Sequence, residues 1–213
     1  MSQETKDKPV SVHDHTAGWR RQFSQPRGWL GSLVGFILAI RNKKRSLWVL
    51  SLLDLRPAHR VLEIGFGPGM DIRRVASRVS EGLVAGIDHS EVMVRQACRR
   101  NAEAINAGRV ELRQGTASQL PFDSDSFDTV FAINVAQFWP EPANIVRELR
   151  RVLKPGGQLA LAVQPRNKDA TEATARDTGK KLVGALISAR FASVRLEQQP
   201  AKPVSIVYAL STK

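Results

Sequence analysis

The stretch that decides the fold is VLEIGFGPGMD, residues 61–71, in which an apolar run ends in three glycines at alternate positions. The apolar start is typical of a buried strand, and residues 71–79 have the apolar spacing of a helix. A strand, a glycine turn and a helix form the geometry that holds a nucleotide-like ligand. Glycines there let the backbone approach the ligand where a Cβ would clash.

An acidic residue further along the chain supports this interpretation. The dinucleotide fingerprint G-x-G-x-x-G would place its third glycine at position 70. In this chain the third glycine is Gly69, and position 70 is a methionine. The next apolar run ends in Asp88, about 20 residues after the glycines. A carboxylate there can accept hydrogen bonds from both ribose hydroxyls of an adenosine. The alternative, a tight turn that binds nothing, leaves Asp88 without a role.

Strand and helix patterns alternate along the chain, which predicts a mostly parallel sheet with helices on both faces. The predicted strands are 60–64, 83–87, 110–114, 127–133, 158–163, 193–198 and 205–210. The predicted helices are 47–55, 71–79, 90–106, 142–153 and 170–189. Residues 1–15 are polar without periodicity, whereas residues 16–45 form a separate unit that is apolar and basic. We therefore predict an N-terminal segment over residues 1–45 and an α/β domain over residues 46–213.

Four motifs, in this order, resemble those of the class I S-adenosylmethionine (SAM)-dependent methyltransferases, in particular the small type-11 group related to quinone-biosynthesis enzymes. They are EIGFGPG at 63–69, IDHSEVM at 87–93, LPFDSDSFDTV at 120–130 and RELRRVLKPGG at 147–157. The resemblance covers residues 45–213. It implies a Rossmann-like α/β fold of seven strands, mostly parallel, with a C-terminal antiparallel strand. It also implies SAM as the cofactor.

The resemblance assigns residues to that cofactor. Glu63 and the glycines would surround the methionine and ribose parts, Asp88 would bind the ribose hydroxyls, and His89 and Met93 would flank the adenine. The family usually has an acid after the third strand, but this chain has Thr116 and Ala117 there, so a hydroxyl or a backbone carbonyl would have to reach the adenine. The implied cofactor contacts are Glu63, Gly65, Gly67, Gly69, Asp88, His89, Met93, Thr116, Ala117 and Asn134.

The methyl acceptor is expected on the far side of Asn134. The residues that follow the fourth strand there are Gln137, Phe138 and Trp139. Residues 164–191 have room for only one helix, so residues 1–45 are the candidate lid, with Trp19 and Trp29 as further acceptor contacts. No catalytic base is assigned, because methyl transfer needs one only if the acceptor loses a proton during attack. No Cys/His spacing indicates a metal.

Composition suggests an anionic partner. The net charge is +12, and residues 1–60 hold eleven Lys or Arg residues against four acids. Such an asymmetry is typical of contact with nucleic acid, an anionic membrane or an acidic substrate, although a solvated basic surface would look the same. The single cysteine, Cys98, excludes an internal disulfide. We expect the protein to lie in the cytoplasm, because SAM is made there. We also expect the apolar and basic segment 19–45 to make peripheral contact with a membrane.

Three functions remain open at this stage. The first is methyl transfer from SAM to a small or lipid-like acceptor at O, N or C. The second is methylation of nucleic acid, which the charge favours but which lacks a target-base motif or an RNA-binding module. The third is SAM binding without catalysis, since the glycines and Asp88 report cofactor binding rather than turnover. The oligomeric state cannot be predicted from the sequence.

Overall fold

The structure is a computed structural model that describes residues 45–213. The predicted N-terminal tail and lid, including Trp19 and Trp29, lie outside the described residues. The described chain begins with the helical segment 45–51 (α1) and then enters the sheet. The division of the chain at residue 45 therefore stays a prediction.

Seven strands form one sheet in the order β3-β2-β1-β4-β5-β7-β6. The strands are β1 (Arg60–Ile64), β2 (Leu83–Asp88), β3 (Val110–Gln114), β4 (Phe127–Ile133), β5 (Leu153–Val163), β6 (Ala192–Gln199) and β7 (Ile206–Thr212). Strands β1 to β5 pair in parallel, and β7 is antiparallel to both of its neighbours. The predicted Rossmann-like α/β fold with a C-terminal antiparallel strand is confirmed.

Helices cover both faces of the sheet. After α1 they are α2 (Met70–Ala76), α3 (Glu91–Arg100), α4 (Ala102–Asn106), α5 (Pro142–Val152) and α6 (Glu172–Ser188). One face packs against α1, α2 and α3 around Phe131, and the other packs against α5 and α6 around Leu161. Successive strand residues point to opposite faces, so each strand serves both cores.

Most helix and strand boundaries differ from the predicted ones by a few residues, and two differences change the elements themselves. The predicted helix 90–106 is divided at Asn101, whose side chain donates to the carbonyls of Gly69 and Ala97 at 3.1 and 2.8 Å. Strand β5 begins at Leu153, five residues early, and its pairing with β4 is irregular where Pro155, Gly156 and Gly157 lie. Both differences depend on contacts with distant parts of the chain, which local spacing does not encode.

The order of the strands decides where a ligand can bind. The chain leaves β1 toward β2 on one side and returns to β4 on the other. In an open α/β sheet such a reversal opens a crevice at the carboxyl ends of the strands. The glycine turn after β1, Asp88 at the end of β2 and Asn134 after β4 all lie at this edge.

Candidate cofactor and acceptor site

The three glycines of the turn have different roles. All three have positive φ, at 70°, 52° and 75° for Gly65, Gly67 and Gly69. A Cβ on Gly65 would lie 2.4 Å from the Val135 side chain, and one on Gly69 would lie 2.6 Å from that of Ala97. A Cβ on Gly67 would meet no atom of residues 45–213 within 4 Å. Gly65 and Gly69 therefore permit close packing within the protein, and only Gly67 faces open space.

Asp88 ties the turn to the second strand. It is 5% exposed, its Oδ2 accepts a hydrogen bond from the Gly67 amide at 2.8 Å, and its Oδ1 accepts one from the Ser90 amide at 2.9 Å. Burial raises the pKa of this carboxyl, and the two amide donors oppose that rise. Each carboxylate oxygen can accept more than one hydrogen bond, so Asp88 retains capacity for ribose hydroxyls.

Glu63 is the least compensated polar group at the turn. It lies in the buried part of β1, one residue before the end of the strand, is 3% exposed, and its Oε2 has no hydrogen-bond partner among the described residues. Burial first, and then the charges of Asp71 and Asp88, raise its pKa well above the usual value, with Arg74 acting in the opposite direction. A buried polar atom of this kind calls for a partner. The unpartnered oxygen and the open space at Gly67 fit a nucleoside that carries positive charge, as SAM does.

The expected adenine contacts lie beside Asp88. Nδ1 of His89 is 3.7 Å from Oδ1 of Asp88, and the His89 side chain is half exposed. Met93 is buried but belongs to neither of the two core clusters of the described chain. The Gly115 amide donates to the Asp88 carbonyl at 3.0 Å, which brings the loop after β3 to the same place.

That loop presents Thr116 and Ala117 differently. Thr116 is exposed and its hydroxyl lies 3.0 Å from that of Ser118, whereas Ala117 is half-buried against the core. The hydroxyl of Thr116 is thus available at the surface in place of the missing acid. The assignment of both residues to the adenine stays a prediction.

Asn134 closes the end of β4 and adopts a positive φ of 56°. Its backbone N–H donates to the Ala162 carbonyl at 2.7 Å, and its side-chain Oδ1 accepts from the backbone N–H of Gln164 at 2.9 Å. The side-chain oxygen therefore serves to join β4 to β5. A contact between Asn134 and the cofactor stays a prediction.

The residues after Asn134 form the expected acceptor side. Val135 covers Gly65, and a short 3-10 helix, Ala136–Phe138, follows it. Phe138 is 56% exposed, Gln137 is exposed, and Trp139 is half-buried against the core. An exposed aromatic ring thus lies within a few residues of the side chain that contacts the glycine turn.

Sequence reasoning missed Gln164, which follows β5 and is fully buried. Its Nε2 donates to the carbonyls of Val204 at 2.6 Å and Lys202 at 3.2 Å, and its Oε1 accepts from the Arg45 guanidinium. Gln164 thus joins the end of β5 to α1 and to the β6–β7 loop. The sequence did contain a signal for this residue, because Gln164 is a polar residue that directly follows the apolar end of a strand at the ligand edge.

Two further features concern metal ligands and membrane-spanning helices. No group of three or more His, Cys, Asp or Glu side chains in residues 45–213 could hold a metal ion. Within the same residues, no helix is both long enough and apolar enough to cross a bilayer.

Comparison with known proteins agrees with this fold and site. Residues 62–161 match the methyltransferase domain family of type 11. The chain is 29% identical over 181 residues to YdaC, an uncharacterised methyltransferase of Bacillus subtilis (strain 168), covering 85% of this chain and 98% of that one. It is 33% identical over 132 residues to a demethylmenaquinone methyltransferase of Listeria welshimeri, covering 62% of this chain and 54% of that one.

A solved structure has the same architecture. A SAM-dependent methyltransferase from Aquifex aeolicus aligns with a TM-score of 0.62 at 22% identity, covering 78% of this chain and 88% of that one. Fold and site together define a Rossmann-like domain with a glycine turn and a buried acidic residue at the carboxyl edge of its sheet. Residues 62–161 belong to the type-11 methyltransferase domain family, and the fold and the relatives are those of class I SAM-dependent methyltransferases. Its cofactor is SAM.

Proposed function

We propose that this methyltransferase acts on a small or lipid-like acceptor with an apolar part. The observation that carries the proposal is Phe138, a large apolar side chain that is 56% exposed and follows by three residues Val135, which lies against Gly65 of the turn. Exposed apolar surface at a ligand edge favours an apolar partner. The relative from Listeria welshimeri, named for a quinone, supports the same class of acceptor. Methylation of nucleic acid and SAM binding without catalysis are not favoured by the relatives.

The proposed chemistry is an in-line displacement. When bound, SAM supplies a methyl group that is activated by the positive sulfur. The acceptor atom would form a bond to this methyl carbon as the carbon–sulfur bond breaks, and the electron pair of the broken bond would stay on sulfur. An O or N acceptor then loses its proton to water or to a base that is not assigned.

The chain contributes mainly by holding and orienting the reactants. We propose that Glu63, Gly67 and Asp88 hold the cofactor, with His89, Met93, Thr116 and Ala117 beside its adenine. Val135 and Asn134 would fix the cofactor against the acceptor side. Gln137, Phe138 and Trp139 would orient the acceptor and exclude water from the methyl group.

Radiolabelled SAM would test this proposal. The protein is incubated with labelled SAM and, separately, a lipid extract, a set of phenols, and RNA. The proposal expects label in the organic phase from lipid or phenol, and little in RNA. Label confined to RNA would overturn it, and no transfer to any acceptor would favour SAM binding without catalysis.

We retain the proposal that residues 1–45 form a lid that also contacts an anionic membrane. Support comes from Arg45, whose guanidinium donates to Gln164 and so anchors the end of this segment at the ligand edge. Because Arg45 is engaged there, the test should replace only Arg41, Lys43 and Lys44 with Gln. Each such cation is worth about 1 kcal/mol near an anionic membrane, so the three supply at most about 3 kcal/mol.

Co-sedimentation with vesicles measures the membrane contact. Anionic vesicles should retain the wild-type protein at low salt and release it at high salt, and the triple variant should bind less. Neutral vesicles are the control. Wild-type protein that stays in the supernatant with anionic vesicles at low salt would show that the membrane part of the proposal is wrong.

A further inference from the structure

Three carboxylates converge at the glycine turn, and two of them are already compensated. Asp71 forms an ion pair with Arg74 at 2.5 Å, and both side chains are largely buried. Asp88 accepts two backbone hydrogen bonds and lies beside His89. Glu63 has neither an ion pair nor a hydrogen bond at its Oε2 among the described residues.

Within residues 45–213, the cations near Glu63 are engaged with other groups. Arg74 is paired with Asp71, and Arg100, on α3, donates to the Pro68 carbonyl within the turn. Arg73, which lies on α2 next to Arg74, interacts electrostatically with Arg100. Two negative charges and one paired cation therefore surround a buried carboxyl group. A lone ionised carboxylate in such a place is costly, and protonation is the ordinary way to avoid that cost.

We propose that Glu63 is protonated in the cofactor-free protein and releases its proton when SAM binds, because the cofactor's ammonium group takes over as the counter-charge. The proposal rests on the proposed placement of SAM at the glycine turn. In this proposal Glu63 does more than contact the cofactor, because it favours ligands that carry a positive charge. The raised pKa of Glu63 in the free protein is consistent with it.

The pH dependence of binding follows from this exchange. Between the pKa of Glu63 in the complex and its higher pKa in the free protein, binding releases up to one proton. Across that window the affinity for SAM rises with pH, by up to about tenfold per pH unit, and then levels off. Below the window Glu63 is protonated in both states, and above it in neither, so binding then releases no proton from this group.

Calorimetry in buffers of different ionisation enthalpy counts the released protons. The ligands are SAM, S-adenosylhomocysteine, which keeps the ammonium group, and 5′-methylthioadenosine, which lacks it. Titrations run from about pH 5 to about pH 8, near which the ligand's own amino group begins to lose its proton. The test variant is Glu63→Gln, which cannot ionise. The control variant is Glu81→Gln, which removes an exposed acid two residues before β2, away from the carboxyl edge of the sheet.

The proposal expects wild type and Glu81→Gln to release a proton with SAM and with S-adenosylhomocysteine. It expects Glu63→Gln to release none beyond the ligand's own contribution, with a flat affinity profile. Wild type should release no proton with 5′-methylthioadenosine, which tests the idea without any variant. Equal proton release by wild type and Glu63→Gln would overturn it, as would SAM binding by wild type without release across the range. Absence of SAM binding by wild type would instead contradict the proposed function itself.

Discussion

The cofactor turn and the acceptor side lie at the same edge of the sheet but differ in how their polar groups are satisfied. At the turn, Glu63 keeps a buried oxygen without a partner in the described part of the chain, and the same residues leave open space beside Gly67. On the acceptor side, the side-chain oxygen of Asn134 and the side-chain nitrogen of Gln164 bond to the protein itself. A buried polar group without a partner indicates the chemistry of the ligand that would satisfy it, whereas a group already bonded to the protein does not. The turn therefore keeps polar capacity for a ligand, whereas these polar groups of the acceptor side hold the strands and loops together.

The largest expected effect comes from Gly67→Val. A non-glycine residue at its positive φ costs about 1–2 kcal/mol, and the added side chain enters the space that we assign to the cofactor. We expect SAM binding to be lost while circular dichroism still reports a folded protein. Calorimetry measures the binding.

Gly69→Val is the matched control, because its side chain would meet Ala97 and Asn101 rather than open space. This variant should lower the melting temperature, and any loss of SAM binding should follow the loss of fold. If Gly67→Val binds SAM as tightly as wild type, the distinction between the two glycines is wrong.

Asp88→Ala should produce the next largest effect. The substitution removes the acceptor for the Gly67 and Ser90 amides and for the ribose hydroxyls. Hydrogen bonds to a charged group contribute roughly 1.5–3 kcal/mol, so SAM affinity should fall about ten- to a hundredfold. Asp88→Asn keeps one acceptor oxygen and should lose less. Unchanged SAM affinity in Asp88→Ala would remove Asp88 from the cofactor site.

Gln164→Leu tests the other side of the comparison. It leaves the Val204 and Lys202 carbonyls without their donor and the Arg45 guanidinium without its acceptor. An unsatisfied buried polar group costs about 1–3 kcal/mol, so the free energy of unfolding should fall by about that amount. SAM affinity at a temperature where the variant is folded should match wild type. A loss of SAM affinity without a loss of stability would place Gln164 at the cofactor instead.

Phe138→Ser is expected to have the smallest effect on the protein itself. Because its ring is mostly exposed, stability and SAM affinity should change little, whereas transfer to an apolar acceptor should fall severalfold. Ile187→Ser is the control, since Ile187 is 61% exposed on α6, whose C-terminal end leads to the opposite edge of the sheet. Equal transfer by wild type and Phe138→Ser would remove Phe138 from the acceptor side.

Much of the fold was predictable because its signals are local. The bounds of β1 and β4 agree with those predicted, since each is an apolar run between turn residues. The glycines and Asp88 lie at the carboxyl edge as expected, because a parallel sheet brings successive strand ends together.

The remaining features depend on contacts between distant residues. The glycine spacing alone cannot show that Val135 and Ala97 occupy the space beside Gly65 and Gly69. Gln164 acquires its role only when the β6–β7 loop comes within reach of β5. The missing partner of Glu63 also becomes visible only once the surrounding side chains are in place.

A crystal structure with bound S-adenosylhomocysteine tests the central claim most directly. We expect the ribose hydroxyls at Asp88, the backbone of Gly67 against the ligand, and the ligand's ammonium group within hydrogen-bonding reach of Glu63. We also expect the sulfur to face the segment from Asn134 to Phe138. A ligand bound away from residues 63–88, or one that leaves Glu63 Oε2 without a partner, would contradict the account.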